Sequence, residues 1–398
     1  IDCSIEDIAQ SDAICIIGAH IRANQPLLQT RIRQASLNGA KVLSFNPADF
    51  GATWEQDTLH MSRPDAWVED LKAFYGALEA KKALPKMPKA LASFAKVLLK
   101  AQAPVVLWGE YIQAHPDFAN LLYWIEKIKQ LVGAKGGQLS HGPNTRGASI
   151  AGFLPHRLPG GLAVDKAGSN WVEMLEGDQS ESLFFVMALE PHLDTLFAAK
   201  TAAMLSQSEM VVGFMPYIDE AMAQYFDVVF PVSSFTETSG TYVNVSGLRQ
   251  GFCGAVKPPG MARPLWKVLR VLGNYLDLEG FDYQSAQEVV RECFELAKKQ
   301  SSASAVASYQ ATDSDKTQKV KCMQIPYDSG FNSDALVRRA AALHQTQAVK
   351  KASHIQMSPQ LAKVLDIVNG DQVALNQASL EIEMAADCSI EMAEDSVF

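Results

Sequence analysis

Apolar residues along this chain occur in two patterns. Short unbroken runs alternate with stretches in which apolar positions recur at helical spacing. The runs lie at 12–18, 41–45, 104–108, 183–189, 210–215 and 228–232, and most stop at Gly, Asn or Pro. Such runs predict strands buried on both faces of a parallel sheet. The periodic stretches predict helices at 24–37, 64–80, 88–101, 117–132, 195–205, 219–225, 264–276 and 285–299. In the fourth of these, Leu121, Leu122, Ile125, Ile128 and Leu131 share one face, and Asp117 is the expected N-cap. Strands alternating with helices predict an α/β fold in which parallel sheets are covered on both sides.

Three stretches break the rhythm. Residues 133–168 are rich in Gly and Pro and predict irregular chain, and so does the long polar loop after 232. Residues 301–321 have the Ser, Ala, Gln, Asp and Lys composition of a linker. Beyond it, helices are expected at 337–343 and 358–366, a turn at 369–371, and strands at 372–375 and 380–384. The expected organisation is a Rossmann-like α/β domain at 1–140, a second at 141–300, a linker at 301–330 and part of a β-rich domain at 331–398.

Composition narrows the classes. A chain of 398 residues predicts two or three domains. The net charge of −9 gives no support to a nucleic-acid partner. No run is long enough to predict a membrane span, and no export signal is legible at the start. The chain starts at Ile1 and stops at Phe398 within strand-like sequence, which predicts a piece of a longer polypeptide. Cys3, Cys15, Cys253, Cys293, Cys322 and Cys388 are scattered and form no C-x-x-C. No zinc or iron–sulfur ligand set is therefore legible, and the thiols fit small buried hydrophobes in a reducing compartment. The eight histidines form no H-E-x-x-H or H-x-H, and the P-loop, the dinucleotide fingerprint and G-x-S-x-G are all absent.

Candidate chemistry sits at strand ends, where open α/β sheets bind ligands. The first strand leads into Gly18-Ala19-His20-Ile21-Arg22-Ala23-Asn24-Gln25-Pro26. Glu190-Pro191 with Asp194 follows the strand at 183–189, either as site carboxylates or as a cap for the next helix. Glu237, Thr238, Ser239, Thr241 and Asn244 form the densest polar group. Such residues can hold a pterin or nucleotide, or can satisfy the backbone of their own loop.

The order D-V-x-x-P, E-x-x-G-T-x-x-N-x-x-G-x-x-Q and P-P-G-x-A-R-P-x-W-K-x-L between Asp227 and Arg270 resembles the molybdopterin oxidoreductase superfamily. Its tail is most similar to the branch formed by the large iron–sulfur subunits of bacterial NADH:quinone oxidoreductase, respiratory complex I. Further motifs agree: Ile5 to Gly18, then Arg22, Pro26, Arg31 and Arg33, then 142–157, Glu190-Pro191 and 338–370. The resemblance implies two Rossmann-like domains of the molybdopterin type, the second completed by sequence preceding this chain, and part of a C-terminal β-barrel-like domain. It implies a scaffold supporting NADH-to-quinone electron transfer in the peripheral arm, inactive in isolation. The alternative is the catalytic part of a molybdopterin-dependent oxidoreductase of the formate dehydrogenase type. No catalytic residue, metal ligand or cofactor is expected within this chain. The intact protein would bind 2Fe-2S and 4Fe-4S clusters, with NAD and FMN in partner subunits. Implied partners are other peripheral-arm subunits of complex I and the chain's own N-terminal iron–sulfur domains, at the cytoplasmic face of the bacterial inner membrane, without membrane insertion. The resemblance implies Gly18, Arg22, Glu237, Thr241 and Asn244 as candidate residues of a vestigial pocket. Asn244-Val245-Ser246-Gly247-Leu248 stands where the family has N-x-E-G-R, and His20 where it commonly has asparagine.

Overall fold

The computed structural model describes residues 1–55, 58–195, 197–300, 323–325, 330–331, 333–377 and 380–398. Of the linker expected at 301–330, the residues 301–322, including Cys322, and 326–329 lie outside the described residues. Strands β1 (Ala13–Ile17), β2 (Lys41–Asn46), β3 (Thr58–Met61), β4 (Pro104–Trp108) and β5 (Lys135–Gln138) form one parallel sheet in the order β3-β2-β1-β4-β5. The apolar runs predict β1, β2 and β4. They do not reveal β3, which alternates weakly at the sheet edge, or β5, Lys-Gly-Gly-Gln, which pairs through its backbone alone.

All five residues of β1 are buried, because side chains point alternately to two covered faces. Cys15, Ile17, Leu43, Phe45, Val106 and Trp108 pack under the helices Trp67–Glu79, Lys89–Leu98 and Phe118–Val132. Ile14, Ile16, Val42, Val105 and Leu107 pack with Leu28 and Ile32 of the helix Pro26–Leu37 on the other side. Each large side chain so buried contributes about 1.5–3 kcal/mol. Asp117 does precede the helix Phe118–Val132 but does not cap it. Its ψ of 37° is not the extended conformation a cap needs, and its Oδ1 instead accepts from Asn120 Nδ2 at 2.7 Å.

The stretch 133–168 is more ordered than its composition suggests. Besides β5 it holds the helix Thr145–Ala151 and a small ladder of β6 (Arg157–Leu158) and β7 (Leu162–Ala163). A second parallel sheet, β10-β9-β8, follows from β8 (Leu183–Met187), β9 (Met210–Met215) and β10 (Val228–Pro231). Met204 and Leu205 of the helix Ala198–Gln207 cover one face, and Leu265, Val268, Leu269 and Leu272 of the helix Leu265–Tyr275 cover part of the other. Leu183 is 57% exposed, Phe185 41% and Val228 43%, so the sheet is only half covered. The polar stretch after 232, expected as loop, contains a hairpin of β11 (Gly240–Val243) and β12 (Arg249–Phe252), held by Tyr242 against Phe252.

The C-terminal strands β13 (Met323–Gln324), β14 (Ile355–Gln356), β15 (Gln372–Gln377), β16 (Leu380–Asp387) and β17 (Ser396–Val397) make two small sheets, β14-β16-β15 and β13-β17. Among the described residues they close no barrel. The helix expected at 337–343 is instead a short helix, Ala335–Arg338, and a 3-10 turn, Leu343–Gln345. The final segment returns to the first sheet. Met392 joins its core, Ala393 N donates to Pro47 O at 2.7 Å, and Phe398 lies 5.8 Å from Phe50. The fold is α/β, with two parallel sheets.

Candidate functional site

In the first sheet the strand order reverses between β1 and β4, and the carboxyl ends of these strands are where this architecture places ligands. The chain's own groups occupy that point. Gly18 has φ of +58° and its N–H donates to Phe45 O at 2.8 Å. A Cβ there would stand 2.8 Å from Ile112 Cγ1, so the glycine serves close packing of strand end on helix. Glu110, next to the end of β4, accepts from His20 N at 2.7 Å and Asn24 Nδ2 at 2.8 Å. Burial raises its carboxyl above the ordinary range. The His20 ring stacks on Phe50 at 4.2 Å. Arg22 is exposed and reaches Gly51 O at 3.3 Å. The cavity beside it, bordered by Asn46, Phe50 and Trp54, measures about 20 Å³. That is room for a water, whereas ligand pockets run to roughly 300–1,000 Å³.

Burial, then the nearby Arg22, lowers the His20 pKa from 6.5 to about 4. As pH falls through 6.5 the unfolded chain binds a proton there that the folded protein accepts only near pH 4. His20 therefore removes stability across that window, by about 3 kcal/mol in total. Glu110, with its pKa raised, acts with the opposite sign: its contribution declines as pH rises above the ordinary carboxylate value. Denaturant titration at pH 7 and pH 4.5 should show His20→Asn losing about 2–3 kcal/mol less than the parent on acidification. Equal losses would mean that the imidazole is accessible and titrates normally.

The carboxyl end of the second sheet is held by a charge cluster. Glu190, 1% exposed, follows β8 and faces two arginines from the other end of the chain. Arg338 Nη2 lies 2.9 Å from Glu190 Oε2, and Arg338 Nη1 lies 2.7 Å from Asp194 Oδ1. Arg339 Nη1 lies 2.6 Å from Glu190 Oε1, an ionic contact without hydrogen-bond alignment. The Arg339 guanidinium also covers the Tyr217 ring at 4.6 Å. Asp194 Oδ2 accepts from Glu190 N at 2.7 Å. Asp194 caps no helix: the next one begins at Ala198 behind Phe197. Asp334 Oδ1 accepts from Leu336 N and Val337 N and so starts the short helix that presents both arginines. Beside this clasp a crevice of about 490 Å³ is bordered by Met187, Leu189, Tyr217, Ser233, Phe235 and Leu336.

The remaining sequence candidates build the hairpin. Glu237 Oε2 accepts from Ser234 N at 3.0 Å in a reciprocal cap. Thr241 stands in β11 opposite Gly251. Asn244 Oδ1 accepts from Ser246 N, Ser246 Oγ and Leu248 N at 2.8–3.1 Å and so folds the turn. Asn144, of the segment 142–157, accepts from Val243 N at 2.9 Å and anchors the hairpin. Asn144→Ala would leave the N–H of Val243, a 2% exposed residue, unpaired. A stability loss of about 1–2 kcal/mol by chemical denaturation is expected. Arg22 and Glu237 border different cavities, so the five candidates do not form one pocket.

The cavity at the first sheet is too small for a pterin. Of the two carboxylates bordering the second crevice, Asp194 is ion-paired with Arg338, and Asp334 accepts from Leu336 N and Val337 N. Ser233 Oγ is the one buried polar atom there without a partner among the described residues. Sequence reasoning missed Glu110, Arg338 and Arg339 as a set. The adjacent arginines behind Asp334 are visible in the chain, but nothing local links them to Glu190.

Comparison with known proteins places this geometry. The family model described as molybdopterin oxidoreductase matches residues 1–275. The chain is 27% identical over 274 residues to the mitochondrial NADH-ubiquinone oxidoreductase 78 kDa subunit of Candida albicans, covering 69% of this chain and 32% of that protein. It is 26% identical over 283 residues to the NADH-ubiquinone oxidoreductase 75 kDa subunit of Reclinomonas americana, covering 71% and 36%. It is 24% identical over 356 residues to a formate dehydrogenase-like protein of Staphylococcus aureus, covering 74% and 36%. The chain thus spans about a third of the length of these curated relatives. Acetylene hydratase from Pelobacter acetylenicus superposes with a TM-score of 0.64 at 12% identity, over 98% of this chain and 70% of that one, a likeness of fold alone. With a family match running through both parallel sheets, to the end of the helix Leu265–Tyr275, this chain belongs to the molybdopterin oxidoreductase family.

Proposed function

We propose that this chain is the scaffold region of the large iron–sulfur subunit of an NADH:quinone oxidoreductase. It supports electron transfer from NADH to quinone in the peripheral arm and holds no cofactor itself. The clasp of Glu190 and Asp194 on Arg338 and Arg339 carries this reading, because the strand-end carboxylates of the second sheet are committed to the chain's own cations. Its partners are other peripheral-arm subunits and the iron–sulfur domains of the same polypeptide. The half-covered face around Leu183 and Phe185 suits completion of the second sheet by sequence outside these residues. The reading places the chain peripherally at the cytoplasmic face of the bacterial inner membrane; among the described residues no helix is long and apolar enough to cross a membrane.

Elemental analysis of the purified chain for molybdenum, tungsten and iron, with its absorption spectrum, tests the reading. A colourless, metal-free protein is the expected result. Stoichiometric molybdenum or tungsten with pterin absorption would transfer the assignment to a molybdopterin-dependent oxidoreductase of the formate dehydrogenase type. The 490 Å³ crevice and the unpartnered Ser233 hydroxyl favour that second reading.

A further inference from the structure

A groove of about 590 Å³ runs between the segment 254–258, the start of the helix Leu265–Tyr275 and the start of the helix Ala286–Gln300. Lys257, Arg263 and Lys267 border it, and all three are exposed. Among the described residues none of them forms an ion pair with a carboxylate. The chain carries 35 basic against 44 acidic side chains, so three unpaired cations on one groove run against its overall charge. Glu237, the carboxylate on the wall, is turned into Ser234 N. Arg263 Nη1 donates to Ala262 O at 2.7 Å, which holds the guanidinium at the rim, and Lys267 Nζ lies 5.4 Å from the centre of the Trp266 ring.

We propose that this groove is a docking site for an acidic segment of a partner polypeptide, with carboxylates meeting Lys257, Arg263 and Lys267 and an apolar side chain lying on Trp266. Charge complementarity selects the sign of the occupant. An apolar flank selects its class: Val256, which borders the groove, is 60% exposed. A half-buried Trp beside an exposed Arg is the composition of an interface centre. A small anion would need donors converging in an enclosed site, whereas these cations stand on separate segments of an open groove. The proposal takes from the scaffold reading only that the partner is a protein.

The test uses the whole chain and a defined probe, so it does not depend on which assembly the chain serves. A glutamate-rich peptide with one central phenylalanine is compared with its glutamine counterpart, and bound peptide is coupled with carbodiimide and mapped by mass spectrometry. Coupling should concentrate on Lys257 and Lys267. The combined changes Lys257→Glu, Arg263→Glu and Lys267→Glu should weaken binding at least tenfold with the circular dichroism unchanged. Should that variant not fold, Lys257→Gln in the exposed loop should still weaken binding severalfold. Coupling spread evenly over other exposed lysines, such as Lys81, Lys82 and Lys100, would overturn the proposal. Saturable displacement of the peptide by inorganic pyrophosphate would equally make the groove a small-anion site and overturn it.

Discussion

Arg338→Ala is expected to destabilise the protein by about 3 kcal/mol and to free residues 334–346 from the second sheet. The size follows from burial. The Arg338 side chain is 10% exposed and that of Glu190 1%, so both were desolvated to meet. Removing Arg338 leaves Glu190 with the poorly aligned Arg339 and leaves Asp194 Oδ1 without its cation. An exposed pair would be worth less than about 1 kcal/mol. Arg338→Lys should recover only part of the loss, because one ammonium cannot reproduce a fork that reaches Glu190 and Asp194 together. Denaturant unfolding gives the magnitude and hydrogen exchange gives the place. Amides of 336–346 should exchange faster in the variant while those of β1 stay protected. A variant within about 0.5 kcal/mol of the parent would show that the clasp contributes nothing.

Gly136→Ala should be at least as damaging, at about 3–5 kcal/mol, from strain and overpacking combined. Gly136 has φ of +114°, and a Cβ on it would stand 2.1 Å from Val106 O. The obstacle is backbone of β4 and cannot turn aside. The expected result is a lowered unfolding midpoint with faster exchange in Pro104–Trp108, as β5 separates from its neighbour. An unchanged midpoint would mean that β5 is dispensable, and with it the sheet edge that Asp2 holds through Gly136 N.

These two sites mark where local reading stops. β1, β4 and β9 are legible because each is an unbroken apolar run long enough for one strand and too short for a helix. β5 is illegible because its residues carry no apolar pattern at all: pairing with β4 makes it a strand. The polar residues from Glu237 to Asn244 left two readings open, ligand binding or backbone satisfaction. Asn244 and Glu237 spend their oxygens on neighbouring N–H groups, which is visible only once the hairpin is closed. Asp117 shows the converse, a residue of the right type whose ψ places it wrongly for a cap.

By itself the sequence determined the alternating α/β elements, the two parallel sheets and, through ordered motifs, the family. The elements and sheets follow from local periodicity and from glycine and proline at strand ends, which operate within a few residues, whereas the family follows from the order of motifs along the chain. Tertiary structure decided which charges meet. Glu190 and Arg338 stand 148 positions apart, and His20 reaches Glu110 across 90. No periodicity spans such distances. Burial changes what those groups do: a neutral histidine at the first switch point and a paired carboxylate at the second sheet are outcomes of desolvation, which depends on packing rather than on residue type.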